Sequence, residues 1–330
     1  MGDGGESVDT RGLPDFIIIG AAKCGTTSLH HILAQHERIF IPDYEVYFFD
    51  VDDIEQHPDF FRQGDAWVWH DFDADRERYL AWYRRVFEGA RPGQLIGEDT
   101  TTYVASGLAA ERIARMLPEV KLIVMLRDPV ARAYSHYWHN VRKGRSTRSF
   151  EETIRYAPGN LLERGRYRRQ LERYRSFIDD GRLLTVFFED MVADTPGQVV
   201  RVCEYLGVPM LDLDAVETHQ NVSPVPFSVP LRLAFNRVMG RQLEGRRKIP
   251  NMPGYELPPA DQALDRGPGP GAGLEKRWNQ AVRAALPGRR LPPMADDTRS
   301  FLERLYARDN AGLGELIGED VARRWPYMGP

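Results

Sequence analysis

Short runs of consecutive apolar residues alternate with amphipathic stretches along the first two thirds of the chain. Three of these runs are FIIIG at 16–20, VKLIVMLRD at 120–128 and RLLTVFFED at 182–190. Apolar residues at successive positions are typical of parallel strands that are buried on both faces. A shorter strand is predicted at 94–99. Stretches with helical spacing follow the strands, and they are TTSLHHILAQH, LAAERIARMLP, PVARAYSHYWHNVRKG and PGQVVRVCEYLGV. This alternation predicts a three-layer α/β fold, with a central parallel sheet flanked by helices.

Other segments complete the predicted organisation. Residues 76–88 have the pattern of an amphipathic helix, and residues 160–179 have that of a long helix or a helix pair. Proline and glycine are frequent at 240–295, which predicts a long irregular excursion over the surface, with a plain linker as the alternative. Residues 1–13 are polar and glycine-rich, so we expect a flexible tail before a single domain at 14–330.

Composition and charge exclude several classes of protein. The chain has 330 residues and a net charge of −4, so no global basic field indicates a nucleic-acid partner. Its two cysteines, Cys24 and Cys203, do not support a disulfide scaffold or a zinc site. No stretch approaches the length of an apolar membrane helix, and the N-terminal segment lacks a hydrophobic core. We therefore expect no signal peptide, no membrane span and a cytoplasmic location.

A glycine loop joins the first predicted strand to the first predicted helix. Gly20 and Gly25 have the GxxxxG spacing of a P-loop, but the lysine is Lys23, within the loop, where a P-loop would have Lys directly after the second glycine. Thr26 and Thr27 open the helix. Backbone N–H groups and the positive helix end would meet at one anion, which makes the fold P-loop-like. The alternative is a plain glycine turn.

The end of the second long strand carries an arginine where a nucleotide triphosphatase of this shape carries a magnesium-binding aspartate. Arg127 can hold a phosphate directly, without a metal. Asp128 precedes Pro129 and fits a helix N-cap better than a metal ligand. On the next helix, Arg132 and Ser135 are three residues apart and are expected to share a face. The sheet edge therefore offers two anion sites and predicts a ligand with phosphates at both ends.

These two segments, IIIGAAKCGTTSL and KLIVMLRDPVARAYSHYWH, resemble the nucleotide-binding signatures of the sulfotransferases that use 3′-phosphoadenosine 5′-phosphosulfate (PAPS). The similarity extends over most of 14–225 and over 290–326. It implies that the 5′-phosphosulfate is held by the loop residues Lys23, Cys24, Gly25, Thr26, Thr27 and Ser28, with Cys24 as a small filler. It also implies that Arg127 and Ser135 hold the 3′-phosphate, that no metal is needed, and that Lys23 follows the charge onto the leaving phosphate.

The segment EVYFFD at 45–50 resembles the EVHFFD-type segment of the heparan-sulfate and related bacterial branch of that family. The resemblance implies that Glu45 is the general base toward the acceptor; the alternative is a surface glutamate. Tyr47 stands where this branch commonly has histidine and is a candidate for the acceptor side.

The segment GEDTTTYV departs from the related branch at Asp99, which replaces the lysine of the polysaccharide enzymes. A carboxylate there argues against a polyanionic sugar acceptor. Glu98 and Tyr103 match the family pattern and are candidates for the acceptor side, although Glu98 can instead be a buried structural residue.

Three further groups of residues are candidates for site roles. His136 and His139 have i, i+3 spacing, but no further ligand completes a metal site, so we expect no metal. Arg246, Arg247 and Lys248 are candidates for phosphate contacts, with a solvated charge run as the alternative. The aromatic run at 65–72 fits either a lid over an apolar acceptor or an ordinary core edge.

The expected function is transfer of a sulfuryl group from PAPS to a hydroxyl of a small-molecule acceptor, with adenosine 3′,5′-bisphosphate as the product. We expect the acceptor to be a secondary metabolite, a lipid or a glycoside, and the sequence is compatible with a homo-oligomer. The alternatives are a P-loop kinase that uses Mg-ATP and a nucleotide-binding protein without catalysis.

Overall fold

A computed structural model describes residues 9–63, 66–211, 228–244 and 291–329 of the chain. Its centre is a sheet of five parallel strands in the order β2-β5-β1-β6-β7. The strands of this sheet are β1 (Phe16–Gly20), β2 (Ile39–Phe40), β5 (Leu95–Asp99), β6 (Lys121–Leu126) and β7 (Leu183–Phe187). A separate antiparallel pair is formed by β3 (Arg62–Gln63) and β4 (Ala66–Trp67).

The helices that flank the sheet follow the strands along the chain. Those in the first half of the described residues are α1 (Thr26–Leu33), α2 (Arg76–Val86), α3 (Ala109–Met116), α4 (Pro129–Arg142), α5 (Phe150–Tyr156) and α6 (Gly159–Glu163). Those in the second half are α7 (Tyr167–Glu172), α8 (Arg175–Asp179), α9 (Phe188–Ala193), α10 (Thr195–Leu206), α11 (Val229–Glu244), α12 (Asp296–Asp309) and α13 (Leu313–Ile317).

Strand β1 lies at the middle of the sheet, and all five of its residues are buried. Ile17 is in register with Glu98 of β5 on one side and with Leu122 of β6 on the other. The three strands are parallel, so their carboxyl ends reach the same edge, where the loops after Gly20, Asp99 and Leu126 meet. Ligands of open α/β sheets bind at this kind of edge, and the candidate site lies there.

Two groups of buried side chains hold these elements in place. The larger surrounds the sheet and includes every residue of β1 except Gly20. The smaller joins α4 to α5 and α12 through Tyr137, Phe150 and Tyr306, among others. Helix α4 is thereby packed against α5 and α12, which fixes the direction in which its polar side chains point.

The α/β fold with a central parallel sheet is confirmed, and most predicted elements agree with the structure to within a few residues. Two predictions are wrong. Residues 160–179 form three short helices, because the chain turns at Gly165, where a Cβ atom would lie only 2.8 Å from the ring of Tyr306. The strand predicted over 182–190 ends at Phe187, and α9 begins at the next residue.

Two predicted segments fall partly outside the described residues. Within the predicted excursion at 240–295, α11 extends to Glu244, and residues 245–290 are not among those described. Of the predicted tail, residues 1–8 lie outside the described part, while Leu13 is buried in the core.

Candidate active site

The glycine loop requires glycine at both of its predicted positions. Gly20 has φ of 135°, and a Cβ atom there would lie 2.7 Å from the carbonyl oxygen of Thr101. Gly25 has φ of 93°, and a Cβ atom there would lie 2.8 Å from Cδ2 of Phe188. Both values of φ are unfavourable for residues with side chains. The chain therefore passes closely over its neighbours before it enters α1.

The loop leaves backbone donors available at the start of α1. The amide of Ser28 donates to the Gly25 carbonyl at 2.9 Å, whereas the amides of Thr26 and Thr27 have no acceptor among the described residues. Thr26 is buried and Thr27 is exposed. Free amides in the first turn and the positive end of the helix are the usual components of an anion site.

Lys23 is half-buried in this loop and has φ of 72°. Its Nζ lies 3.4 Å from Nδ1 of His139 on α4. Burial, and then the neighbouring charges of Arg142 and Arg127, lower the pKa of Lys23 to about 8. Burial and the charge of Lys23 lower the pKa of His139 to about 3, so the imidazole is neutral and can accept a hydrogen bond from the ammonium group. His139 was expected to have no role at the site, and the structure places it beside the lysine.

Cys24 is fully buried, and its Sγ lies 3.6 Å from the hydroxyl of Tyr167. Burial raises the pKa of this thiol to about 11. The side chain therefore points into the interior as a neutral thiol, in agreement with the prediction of a small filler. A contact between Cys24 and a bound anion would come from its backbone.

Arg127 leaves the end of β6 beside the glycine loop. Its Nη1 donates to the Lys23 carbonyl at 3.3 Å, and its guanidinium carbon lies 4.4 Å from the centre of the Phe188 ring. Tyr167 donates from its hydroxyl to the Arg127 carbonyl at 2.9 Å. Phe188, at the start of α9, thus packs against both the loop and the arginine. No sequence motif pointed to it.

Asp128 is the N-cap of α4, as predicted. Its carboxylate accepts from the amide of Val130 at 2.9 Å and from the hydroxyl of Tyr327 at 2.6 Å. Ser135 lies half-buried on the same helix. Arg132, which was expected to share a face with Ser135, is instead fully buried and donates to the carbonyl oxygen of Leu161.

His136 follows Arg132 into the same interior region, where its Nδ1 lies 3.5 Å from Nη1 of the arginine. Burial, and then the charge of Arg132, lower the pKa of His136 well below its usual range. No group of three His, Cys, Asp or Glu side chains is arranged to hold a metal ion within the described ranges.

Glu45 lies half-buried in the loop after β2 and has a fixed orientation. Its Oε1 accepts from the amide of Thr101 at 2.9 Å and from the hydroxyl of the same residue at 2.5 Å. Its Oε2 accepts from the hydroxyl of Tyr47. Burial and the charge of Glu45 raise the pKa of Tyr47, so this hydroxyl remains a donor. Glu45 is therefore held by three hydrogen bonds and is not a freely solvated surface residue.

The ring of Tyr47 packs against a histidine that the sequence did not point to. The ring centres of Tyr47 and His57 are 4.8 Å apart, and Phe60 lies against both rings. His57 Nε2 is 2.9 Å from Oδ2 of Asp50, whose side chain is fully buried. An imidazole therefore lies beside the position where the related branch has its histidine, although it comes from the segment after Asp50.

The other acceptor-side candidates lie in the interior. Glu98 and Tyr103 are fully buried, so the structure agrees with the alternative that Glu98 is an interior residue. Asp99 is also buried, with Oδ2 at 3.4 Å from Nδ1 of His30. Burial, opposed by the hydrogen bond from His30, raises the pKa of Asp99 to about 6, and the charge of Glu45 adds to this rise.

Arg164 is a cation near Glu45 that sequence reasoning missed. Its Nη2 donates to Oε1 of Gln56 at 3.0 Å, and its buried Nε has no hydrogen-bond partner in the part of the chain that the structure describes. Burial and the charge of Arg132 lower its pKa, while the carboxylates of Glu45 and Asp50 act in the opposite direction. Arg164 belongs to an arginine-rich segment, so neither spacing nor composition separated it from its neighbours.

The structure does not decide two sets of predictions, the basic cluster at 246–248 and the aromatic run at 65–72. Arg246, Arg247 and Lys248 lie outside the described residues. In the aromatic run at 65–72, Trp67 and Trp69 are exposed by 71% and 79%, whereas Phe72 is fully buried. The two exposed tryptophans therefore do not belong to the core, whereas Phe72 does.

No helix within the described residues combines the length and the apolar character that crossing a membrane requires.

The geometry defines an α/β protein whose sheet edge carries a glycine loop with free amides and, after a neighbouring strand, a carboxylate of fixed orientation. Residues 14–212 match the model of the sulfotransferase family. Because this match spans more than half of the chain, the chain belongs to the sulfotransferase family.

The chain is similar to enzymes of the heparan-sulfate branch. It is 32% identical over 213 residues to heparan sulfate glucosamine 3-O-sulfotransferase 3B1 of Mus musculus, which covers 62% of this chain and 49% of that enzyme. It is 30% identical over 211 residues to heparan sulfate glucosamine 3-O-sulfotransferase 6 of Homo sapiens, which covers 62% of this chain and 55% of that enzyme. The chain thus spans about half the length of the curated relatives it matches.

A solved bacterial structure is similar over nearly the whole chain. The sulfotransferase from Alicyclobacillus acidocaldarius has 25% sequence identity and a TM-score of 0.59, and the match covers 94% of this chain and 98% of that one. The family resemblance drawn from the two nucleotide-binding segments and from EVYFFD is therefore confirmed.

Proposed function

We propose that this chain transfers a sulfuryl group from PAPS to a hydroxyl of a small-molecule acceptor. The observation that carries the proposal is the arrangement of Lys23 and Glu45 on two loops that follow β1 and β2 at one edge of the sheet. A cation for the leaving group and a base for the incoming group are the two parts that such a displacement needs.

The donor side fits a nucleotide with two anionic ends. Gly20 and Gly25 leave no room for a Cβ atom, so the loop can pack closely on Thr101 and Phe188 while it turns into the helix. Thr26 and Thr27 offer amides, and Arg127 offers a guanidinium group braced by Phe188. When bound, PAPS supplies the activated sulfuryl group and leaves as adenosine 3′,5′-bisphosphate.

Lys23 is suited to stabilise negative charge on the leaving phosphate. It is protonated in the majority of molecules at neutral pH, since its pKa is about 8. The neutral imidazole of His139, at 3.4 Å, orients the ammonium group without adding a competing charge. An anion beside Lys23 favours its charged form, so binding of the nucleotide strengthens the contact.

Glu45 has one free position from which to act as the base. A carboxylate has about four lone-pair sites, two on each oxygen. Thr101 occupies both sites of Oε1, and Tyr47 occupies one site of Oε2. The remaining site on Oε2 is the one that can take the proton of the acceptor hydroxyl. The three hydrogen bonds also fix the direction of that site.

The charges around Glu45 support a neutral or weakly charged acceptor rather than a polyanionic glycan. Asp99 is a second carboxylate within electrostatic range of Glu45, and its pairing with His30 holds it in the interior. Sulfated chains would be repelled by this pair of acids. We therefore propose a secondary metabolite, a lipid or a glycoside as the acceptor, whereas heparan sulfate is the substrate named for the relatives.

The proposal is tested by supplying sulfur-labelled PAPS together with a panel of neutral phenols, sterols and glycosides, and separately with heparan sulfate oligosaccharides. We expect label to pass to at least one neutral hydroxyl compound and to exceed the release seen without acceptor. Transfer to heparan sulfate in preference to every neutral compound would contradict the proposed acceptor class. Absence of transfer to any hydroxyl would contradict the proposed reaction.

A further inference from the structure

Two buried hydroxyl groups hold the segment that carries Glu45. Thr100 Oγ1 accepts from the amide of Val46 at 3.1 Å and from the amide of Tyr47 at 3.2 Å. The hydroxyl of Tyr103 accepts from the amide of Phe49 at 3.2 Å. Three of the amides that follow Glu45 are therefore bound to side chains and not to backbone.

Both hydroxyl groups donate a hydrogen bond to the same buried carboxylate. Thr100 donates to Oε1 of Glu98 at 2.8 Å, and Tyr103 donates to the same oxygen at 2.5 Å. Tyr83 on α2 donates to Oε2. Glu98 is fully buried, and no salt bridge joins it to a cation among the described residues. All of its partners are hydroxyl donors.

The direction of these hydrogen bonds depends on the ionised state of Glu98. A hydroxyl has one proton and two acceptor sites. Thr100 uses both acceptor sites for amides, so its proton must point to a group that only accepts. An ionised carboxylate is such a group, whereas a carboxylic acid or an amide brings a hydrogen of its own into the cluster. Because Thr100 and Tyr103 both donate to Oε1, that hydrogen would lie on the other atom, and the contact with Tyr83 would have to reverse. The bonds from Thr100 and Tyr103 would then reach an uncharged acceptor and weaken.

We propose that Glu98 is the positioning residue for the base Glu45, acting through the hydroxyls of Thr100 and Tyr103. This inference rests on the function proposed above. The connection to the base is short: the amide of Tyr47 is bound by Thr100, and the hydroxyl of Tyr47 donates to Glu45. Thr101, the residue after Thr100, donates to the other carboxylate oxygen. Tyr47 has φ of 60°, so its amide contact also maintains an unfavourable backbone conformation.

The ionised state of Glu98 is sensitive to pH near neutrality. Burial raises the pKa of Glu98 to about 7, the hydroxyls of Tyr103, Tyr83 and Thr100 oppose this rise, and the charge of Asp50 adds to it. As the pH falls through about 7, Glu98 takes up a proton and the hydroxyl contacts must rearrange. The segment after Glu45 then loosens while the donor side is unchanged.

The test compares Thr100→Val, which removes the hydroxyl, with Thr100→Ser, which keeps it. Hydrogen exchange of the peptide 45–50 is measured by mass spectrometry at pH 6 and pH 8, together with PAPS turnover and affinity for adenosine 3′,5′-bisphosphate. We expect Thr100→Val and Glu98→Gln to exchange about fivefold faster at pH 8, which corresponds to about 1 kcal/mol, the usual contribution of one hydrogen bond. We expect Thr100→Ser to match the wild type and bisphosphate affinity to change less than about twofold in all variants.

The wild type should exchange faster at pH 6 than at pH 8 after correction for intrinsic rates, and Glu98→Gln should lose this difference. Asp53→Asn is the control, because Asp53 is a buried carboxylate that accepts from Ser106. Protection of the peptide in Thr100→Val and Glu98→Gln equal to that in the wild type would overturn the inference. Exchange does not require an acceptor, so this outcome is distinct from a failure of PAPS turnover in the wild type, which would refute the proposed function.

Discussion

The donor side and the acceptor side of the site are built in opposite ways. On the donor side, the amides of Thr26 and Thr27 lack acceptors among the described residues. The cations Lys23 and Arg127 contact an imidazole and a backbone carbonyl there. On the acceptor side, the carboxylates of Glu45 and Glu98 each accept three hydrogen bonds within the protein. One side is completed by its ligand, whereas the other is ordered before any ligand arrives.

The difference follows from the tasks of the two sides. A nucleotide carries several charges and can itself supply the partners of Lys23 and Arg127. A base needs one fixed direction, because proton transfer depends on hydrogen-bond geometry. Accordingly, we expect changes on the donor side to alter affinity for the nucleotide, and changes on the acceptor side to alter turnover.

Glu45→Gln should give the largest effect and should separate the two sides. The amide keeps the shape of the side chain but cannot take a proton, so we expect kcat to fall by about a hundredfold to ten-thousandfold. Affinity for adenosine 3′,5′-bisphosphate should change less than about twofold when it is measured by calorimetry. The exposed Glu55 provides the control substitution Glu55→Gln. Unchanged turnover, or loss of bisphosphate binding, would contradict the assignment.

Gly25→Ala should damage the donor side through the backbone. The positive φ and the contact at 2.8 Å with Phe188 both oppose a Cβ atom. We expect a loss of about 1–3 kcal/mol in the free energy of unfolding, measured by urea denaturation, together with weaker bisphosphate binding. Gly93→Ala is a matched control, since Gly93 has φ of 84° but open space around it. If the two variants lose equal stability and both retain binding, the close approach at Gly25 is unimportant.

Binding of the bisphosphate should weaken at alkaline pH. The pKa of Lys23 is lowered to about 8, so the ammonium group loses its proton as the pH rises through that value. We expect affinity to fall by about tenfold between pH 7 and pH 9, and Lys23→Met to bind more weakly at pH 7 without this dependence. A wild-type affinity that is constant from pH 7 to pH 9 would show that the charge of Lys23 does not contact the anion.

Cys24→Ala should have the smallest effect. The thiol is buried and its pKa is raised to about 11, so it is neither a nucleophile nor a charged ligand. We expect kcat and bisphosphate affinity within about twofold of the wild type, since the change leaves the loop backbone in place. Slow alkylation of the wild type by iodoacetamide at pH 8 is the second readout. A large loss of turnover would give this cysteine a role that the geometry does not support.

The sequence predicted the donor side better than the acceptor side, and the reason is physical. Lys23, Gly25 and Arg127 lie within a few residues of strand ends, so the buried strands alone bring them to one edge. Phe188 also follows a strand end, but the strand predicted over 182–190 ran past it. His57 and Arg164 reach the site through contacts between distant segments, which local spacing does not encode.

The sequence also could not predict the direction in which side chains point. Strand β5 lies between β1 and β2 and its last residues are buried, so apolar periodicity could not show which way Glu98 and Asp99 point. The matching family pattern identified Glu98 and Tyr103 as relevant residues, but only the hydrogen bonds of the structure separate a contact with the acceptor from support of the loop behind it.

Whether the glycine loop and Arg127 bind the nucleotide without a metal is measured by calorimetric titration. Adenosine 3′,5′-bisphosphate is titrated in metal-free buffer, and ATP is titrated with Mg²⁺. The wild type and Arg127→Ala are compared, with Arg115→Ala as the control, because Arg115 pairs with Asp73 at an exposed position. We expect metal-free binding of the bisphosphate that weakens about tenfold to a hundredfold in Arg127→Ala and is unchanged in Arg115→Ala. Preference for Mg-ATP, or equal binding by Arg127→Ala and the wild type, would contradict this expectation.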